Sequence, residues 1–228
     1  MTTNPPSSMG VFDIPGEADI KMFYQGDETY WTDTNAWDGI VDIYSLADPL
    51  MPEFLSSTNY TMYCPEMSFG GPVFHPNGMY MYLMGGILEE SCPDLDGDGE
   101  PDWKVDIYDI SDAANPELVG EFIVPEMEVG TLVLNGNEDF SWGPNGLAGI
   151  DMGSAGMVFY DFSDPVNPVP VTTAYDVNPD HSNDFTKGIF GAVYGNDGHW
   201  YVREKEAQEG LTSEFHSIQL VPPEDICL

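Results

Sequence analysis

The chain has 228 residues, a length that suits one large domain or two small ones with a sizeable buried core. Hydrophobic residues make up 42% of it, so it is not a disordered acidic tail. Acidic residues number 40 and basic residues 5, for a formal net charge of −35. This balance excludes a nucleic-acid-binding protein, which needs Lys and Arg to displace counterions, and it argues against docking on anionic lipid.

So large an uncompensated charge repels itself and destabilises a compact state unless salt or bound divalent cations offset it. We therefore expect a cation-rich extracellular or cell-surface setting, beside the simpler interpretation of a very soluble, solvated surface. No apolar run is long enough to span a membrane, which predicts no membrane insertion. The first residues show no signal-peptide pattern, so the chain either stays inside the cell or is a mature form or a fragment.

The first unit, roughly residues 1–60, combines two local patterns. Phe23–Trp31 predicts a strand, a tight turn at Gly26 and a second strand. Val41–Pro52 predicts a strand followed by Asp48, whose carboxylate can cap a turn, and by a proline that fixes φ before the next strand.

The second unit, roughly residues 61–126, repeats both patterns in the same order. Phe74–Tyr82 predicts a hairpin that turns at Gly78, and Val105–Pro116 predicts a strand that leads to a turn capped by Asp112. Between them the unit carries an insertion at about residues 89–104, which is rich in aspartate.

The insertion has the spacing of a calcium-binding loop. Hard divalent cations take several carboxylate and carbonyl oxygens from a short, sharply turning loop. Gly99 permits that turn, and Glu100 would supply its backbone carbonyl. The predicted metal ligands are Asp94, Asp96, Asp98, Glu100 and Asp102, and the predicted cofactor is Ca²⁺ with a structural role.

This loop resembles the calcium loops of thrombospondin type 3 and dockerin repeats. It departs from the EF-hand pattern because Val105 stands where an EF-hand has its bidentate glutamate, so that ligand would come from elsewhere, with Asp106, Glu89 and Glu90 as candidates. The alternative is a solvated acidic loop without an ion.

The three cysteines leave the disulfide pairing open. Cys92 adjoins the predicted calcium loop, and Cys64 lies in the same unit. A Cys64–Cys92 disulfide would clip the insertion, but two buried free thiols fit the sequence equally well, and Cys227 would be left over.

The third and fourth units, roughly residues 127–176 and 177–228, continue the series. Trp142–Leu147 and Val193–Val202 predict hairpins that turn at Gly146 and Gly198, and Met157–Pro168 again predicts a strand followed by a capped turn. The fourth unit lacks a clear Asp-to-Pro segment, so we interpret it as a degenerate copy.

Four serial units with room for three or four strands each predict an all-β fold. We expect a single domain over residues 1–228, a β-propeller-like array of four small antiparallel sheets, either four-bladed or part of a larger propeller. A β-sandwich with recurring turns is the alternative. The segments Val41–Pro52, Val105–Pro116 and Met157–Pro168 resemble the LVIVD repeat of bacterial and archaeal surface-associated β-propellers, which implies this fold but no transferable activity.

No catalytic constellation is visible in the sequence. We therefore expect a non-catalytic, calcium-stabilised extracellular or cell-surface module for binding or self-assembly, whose partners would be a second copy, another surface protein or a glycan. The alternatives are a metal-dependent propeller hydrolase or lactonase, with Asp180, His181 and Asp184 as first candidates, or a lectin-like module that binds sugar through Trp31 or Trp37. Such aromatic residues more commonly fill the wedges between blades.

Overall fold

The computed structural model describes residues 19–35, 39–59, 72–85, 103–124, 140–151, 157–175, 187–206 and 213–218. Within these ranges it contains fifteen β-strands and one short 3₁₀ turn at Pro144–Gly146. The strands form four separate sheets in which every pairing is antiparallel. The predicted all-β array of four small antiparallel sheets is confirmed.

Each sheet is a meander, because strands that follow one another in the chain are also neighbours in the sheet. Sheet I contains β1 (Asp19–Gln25), β2 (Glu28–Asn35), β3 (Ile40–Ser45) and β4 (Glu53–Asn59). Sheet II contains β5 (Val73–Phe74), β6 (Tyr80–Gly85), β7 (Trp103–Asp109) and β8 (Glu117–Val124). Sheet III contains β9 (Phe140–Trp142), β10 (Leu147–Asp151), β11 (Met157–Asp161) and β12 (Val169–Tyr175). Sheet IV contains the described strands β13 (Lys187–Tyr194), β14 (Trp200–Glu206) and β15 (Ser213–Ile218).

A glycine with positive φ turns the chain between the first and second strands of every sheet. The φ angles are 60° at Gly26, 73° at Gly78, 81° at Gly146 and 87° at Gly198. Side chains with a Cβ atom disfavour this left-handed region, so the recurring glycines follow from the backbone that a tight hairpin needs.

A capping aspartate organises the turn between the third and fourth strands of sheets I, II and III. Oδ1 of Asp48, Asp112 and Asp164 accepts a hydrogen bond from the backbone N–H two residues ahead, at 2.9, 3.1 and 3.2 Å. In sheets II and III, Asn115 and Asn167 add a bond from Nδ2 to the other carboxylate oxygen. The predicted role of the repeated aspartate is confirmed, since its side chain satisfies donors that the turn leaves open.

The four sheets pack face to face in chain order. One apolar core joins sheets I and II, a second joins sheets II and III, and a third joins sheets III and IV. Alternate residues of a strand point to opposite sides, so one strand serves two interfaces: on β6, Met81 and Leu83 belong to the I–II core and Tyr82 to the II–III core. We call the surface of a sheet on the side of the preceding sheet its leading face, and the opposite surface its trailing face.

Hydrogen bonds reinforce each of the three interfaces. Ser56 Oγ of sheet I donates to the Ala113 carbonyl of sheet II at 2.7 Å, and Tyr82 Oη of sheet II donates to the Pro165 carbonyl of sheet III at 3.1 Å. Ser141 Oγ of sheet III donates to the Ala192 carbonyl of sheet IV. The sheets are therefore fixed to one another by directional contacts as well as by apolar burial.

Candidate functional site

Several predicted sites lie outside the residues that the structure describes. These are the proposed metal ligands Asp94, Asp96, Asp98, Glu100 and Asp102, the insertion around them, all three cysteines, and the catalytic candidates Asp180, His181 and Asp184. Trp37 also lies outside the described ranges. Among the described residues, no group of three or more His, Cys, Asp or Glu side chains is arranged to hold a metal ion.

Asp106, one candidate for a further calcium ligand, lies in the described part of the chain. It is buried on β7, and its Oδ1 atom lies 3.6 Å from Lys104 Nζ. Lys104 also contacts Glu121 on β8. Burial raises the pKa of Asp106, and Lys104 opposes that shift. In this arrangement the carboxylate is compensated by a lysine within sheet II.

The leading face of sheet I differs from the leading faces of the other three sheets in its exposure to solvent. Met22 lies four residues before its turn glycine, and the corresponding residues of the later sheets are Phe74, Trp142 and Tyr194. These three side chains pack against the I–II, II–III and III–IV cores, respectively. Met22 instead leaves 53% of its surface exposed.

The repeated tyrosine of the third strand shows the same contrast. Tyr44, Tyr108 and Tyr160 each lie four residues before the capping aspartate of their sheet. Tyr108 and Tyr160 are buried, and their hydroxyls donate to carbonyls on the last strand of the preceding sheet, at 3.4 Å to Asn59 and 3.3 Å to Ile123. Tyr44 is only half-buried, and among the described strands no sheet lies on its side of sheet I.

Aromatic rings cross this face from strand to strand. Backbone pairing places Met22 opposite Trp31, Trp31 opposite Tyr44 and Tyr44 opposite Phe54. One methionine and three aromatic side chains thus form a row across all four strands. Ring centroids are 5.6 Å apart both between Trp31 and Tyr44 and between Tyr44 and Phe54, with interplanar angles of 87° and 71°. We call these four residues the aromatic row.

Two carboxylates border the aromatic row. Asp33 on β2 and Asp42 on β3 are directly opposite in the sheet register, next to the Trp31–Tyr44 pair. Partial burial, followed by repulsion from Asp42, raises the pKa of Asp33. Burial and then these two carboxylates, Asp42 before Asp33, raise the pKa of Tyr44. The face therefore combines apolar rings with paired negative charge.

Two histidines that the structure describes serve turns or packing. His75 accepts a hydrogen bond from the Asn77 N–H through Nδ1 at 3.2 Å and packs against the Trp142 ring at 5.1 Å. His199 Nδ1 lies 3.6 Å from Asp197 Oδ2 beside the β13–β14 turn.

Sequence reasoning identified the residue types of this face but not its position in the fold. It named Trp31 as a candidate for sugar binding, and the structure places Trp31 on the leading face of sheet I, whereas the neighbouring Tyr30 is buried in the I–II core. It did not single out Met22 or Tyr44. A signal existed, because both stand at repeat positions shared with later sheets, but only the stacking order shows which copy is left uncovered.

Comparison with known proteins places the fold and nothing more specific. No family model and no curated protein matches the chain. A crystal structure of a protein from Lactobacillus plantarum, a structural genomics target, is similar with a TM-score of 0.53 and 14% sequence identity. The alignment covers 83% of this chain and 54% of that one, so this chain spans about half the length of its structural neighbour. The likeness confirms a β-propeller-like array.

Within the described residues, no helix is long and apolar enough to cross a bilayer.

Proposed function

We propose that this chain is a non-catalytic, calcium-stabilised β-propeller module that acts outside the cell or at its surface, by binding or self-assembly through the leading face of sheet I. The observation that carries the proposal is the exposure of this face. The same kind of face is buried in sheets II, III and IV, where it joins one sheet to the next. In sheet I it is the surface at which a further macromolecule can be held.

The composition of the face suits protein recognition. Aromatic residues and methionine are enriched in the cores of protein–protein interfaces, where they bury a large apolar area. The rings of Trp31 and Tyr44 support each other at an angle of 87°, so part of the ordering cost of binding is met before a partner arrives.

A glycan is the second candidate partner, and ring geometry separates the two. Sugar binding requires an open ring face on which a pyranose can stack. Neighbouring rings of the aromatic row are steeply inclined at 87° and 71°, which presents alternating faces and edges instead of one flat platform. That relief matches interdigitating protein side chains better than a polysaccharide chain.

Replacement of Tyr44 by alanine tests the binding surface. It removes the central ring of the row, so we expect it to abolish concentration-dependent association measured by sedimentation, or retention on polysaccharide columns if a glycan is the partner. The control is Leu118→Ala, because Leu118 is 57% exposed but lies on β8 of sheet II. If Tyr44→Ala keeps every interaction of the unmodified chain, this face is not the binding surface.

The calcium part of the proposal rests on the Asp94–Asp102 spacing and on the charge of −35. Residues 86–102 connect β6 to β7, and these strands pair directly with Gly85 opposite Lys104. The strand pairing already holds the two ends of the connection together, so calcium binding does not have to offset the entropy cost of closing this loop. Bound calcium would also relieve repulsion among the aspartates.

Chelation tests the calcium proposal separately from the binding surface. We expect removal of calcium to lower the melting temperature and to increase proteolysis between residues 89 and 103. Asp96→Ala should reproduce both effects in the presence of calcium. Asp27→Ala, which changes an exposed acid in the β1–β2 turn, should leave the response to calcium intact. A melting temperature and cleavage pattern that are indifferent to chelation would remove calcium from the proposal.

A further inference from the structure

The opposite end of the sheet array has an uncovered face as well. On the trailing face of sheet IV, Val193 and Tyr201 are opposite each other in register and leave 61% and 38% of their surfaces exposed. Trailing-face residues of the other sheets, such as Phe23 in sheet I and Tyr82 in sheet II, are 2% and 0% exposed. Within the described residues, the array thus begins with an exposed leading face and ends with an exposed trailing face.

We propose that these two faces bind each other between two copies of the chain, so that the trailing face of sheet IV of one copy packs on the leading face of sheet I of the other. The proposal rests on the proposed function and names its partner as a second copy. Each of the three interfaces within the chain already joins a trailing face to a leading face. The contact between copies repeats that geometry a fourth time.

The repeated tyrosine gives this contact a specific polar component. In sheets II and III it donates to a carbonyl at the end of the preceding sheet. The phenol of Tyr44 is protonated at neutral pH, so its hydroxyl can act as a donor. A preceding sheet from the second copy supplies carbonyl acceptors to Tyr44, as sheets I and II do for Tyr108 and Tyr160.

Charge selects sheet IV as the partner of sheet I. The strands of sheet I contain the acids Asp19, Glu28, Asp33, Asp42 and Glu53 against one base, Lys21. The strands of sheet IV contain three of the five basic residues of the chain, Lys187, Arg203 and Lys205, against the acids Glu204, Glu206 and Glu214. Sheet IV is therefore neutral (3 − 3 = 0) and sheet I has a charge of −4 (1 − 5). In a chain of −35, a neutral end repels an acidic face least.

Two copies are enough to close the assembly. Propellers contain about four to eight sheets in a ring, and twice the four described sheets gives eight. Met22, Val193 and Tyr201 stay exposed, so the described strands of sheet IV do not cover these residues of sheet I within one chain, nor the reverse. Two equivalent junctions related by a two-fold axis leave no open face, which favours a closed dimer over a filament.

The test uses single glutamate substitutions at three comparably exposed positions. Met22→Glu changes the leading face of sheet I, Val193→Glu the trailing face of sheet IV, and Leu118→Glu neither. For the unmodified chain, sedimentation equilibrium in calcium and moderate salt should give a molecular mass twice the monomer mass of 25.1 kDa. Each end-face variant should weaken dimerisation at least about tenfold, since a carboxylate would be buried without a partner, while Leu118→Glu should not. Circular dichroism checks that all three variants fold.

Mixing the two end-face variants identifies the arrangement. Met22→Glu retains an intact sheet IV and Val193→Glu an intact sheet I, so their mixture keeps one unmodified junction and should recover dimers that neither variant forms alone. If only Met22→Glu disrupts association, sheet I binds a partner in another way and the head-to-tail contact is wrong, although the proposed function stands. A chain that stays monomeric in all forms, or associates regardless of both substitutions, overturns the head-to-tail dimer.

Discussion

The inter-sheet contact at Gly78 allows a quantitative test of how the sheets support one another. Gly26 and Gly78 occupy the same hairpin position in sheets I and II, with φ angles of 60° and 73°. A Cβ atom on Gly26 meets nothing within 4 Å, whereas a Cβ atom on Gly78 would lie 1.9 Å from the Tyr24 carbonyl oxygen of sheet I. Alanine at the two positions therefore causes similar backbone strain and very different packing.

The magnitudes follow from these contacts. Left-handed strain makes Gly26→Ala cost about 1–2 kcal/mol of the free energy of unfolding. Gly78→Ala pays the same strain and must also displace sheet I, which adds about 1–3 kcal/mol for overpacking. That displacement breaks the 2.9 Å hydrogen bond from Gln25 Nε2 to the Gly78 carbonyl, for about a further 0.5–1.5 kcal/mol. Gly78→Ala should thus be less stable than Gly26→Ala by about 1.5–4.5 kcal/mol.

Urea unfolding followed by tryptophan fluorescence measures both variants by linear extrapolation. The difference between them cancels the strain that they share and isolates the contact between sheets I and II. Equal free energies of unfolding would refute the reasoning, because the turn of sheet II would then not depend on sheet I.

Two further predictions concern charged side chains. Asp33→Asn should raise the free energy of unfolding at neutral pH by about 0.2–1 kcal/mol, because it removes repulsion from Asp42 across the strand pair; Glu53→Gln, an exposed strand acid opposite Ser45, should change it less. Because folding raises the pKa of Asp33, its ionised carboxylate destabilises the native state at pH values above that pKa. The stability gained by Asp33→Asn should therefore shrink as the pH falls towards 3.8, the ordinary pKa of the group. Urea denaturation at several pH values can measure this change. Lys104→Met should cost about 3–5 kcal/mol at neutral pH because it leaves buried Asp106 uncompensated, and Asp106→Asn in the same chain should recover much of that loss in urea unfolding. A Lys104→Met chain as stable as the original would show that the lysine does not compensate the buried acid.

Local patterns were sufficient to predict the repeating elements. The glycine at each hairpin turn and the aspartate at each capped turn act through backbone atoms within a few residues, so their sequence spacing reports their structure directly. The predicted calcium ligands and cysteines lie outside the described residues and stay predictions.

The candidate binding surface depended on information that no local pattern holds. Tyr44, Tyr108 and Tyr160 share one motif position, and nothing in the motif distinguishes the half-buried member from the buried ones. The difference arises because burial of a strand residue depends on what covers its face, which a period-two pattern does not specify. Sheet I is the first of the four described sheets in the stack, and only the stacking order shows that none of the others covers its leading face.

The amino-acid sequence alone was sufficient to predict four sheets, the turns that close their hairpins and the strong negative charge, since these follow from backbone preferences and composition. Only the tertiary structure decided which apolar faces meet and which are left open. Face-to-face packing joins residues far apart in the sequence, as when Tyr82 reaches Pro165, and its outcome depends on the order and relative placement of whole sheets.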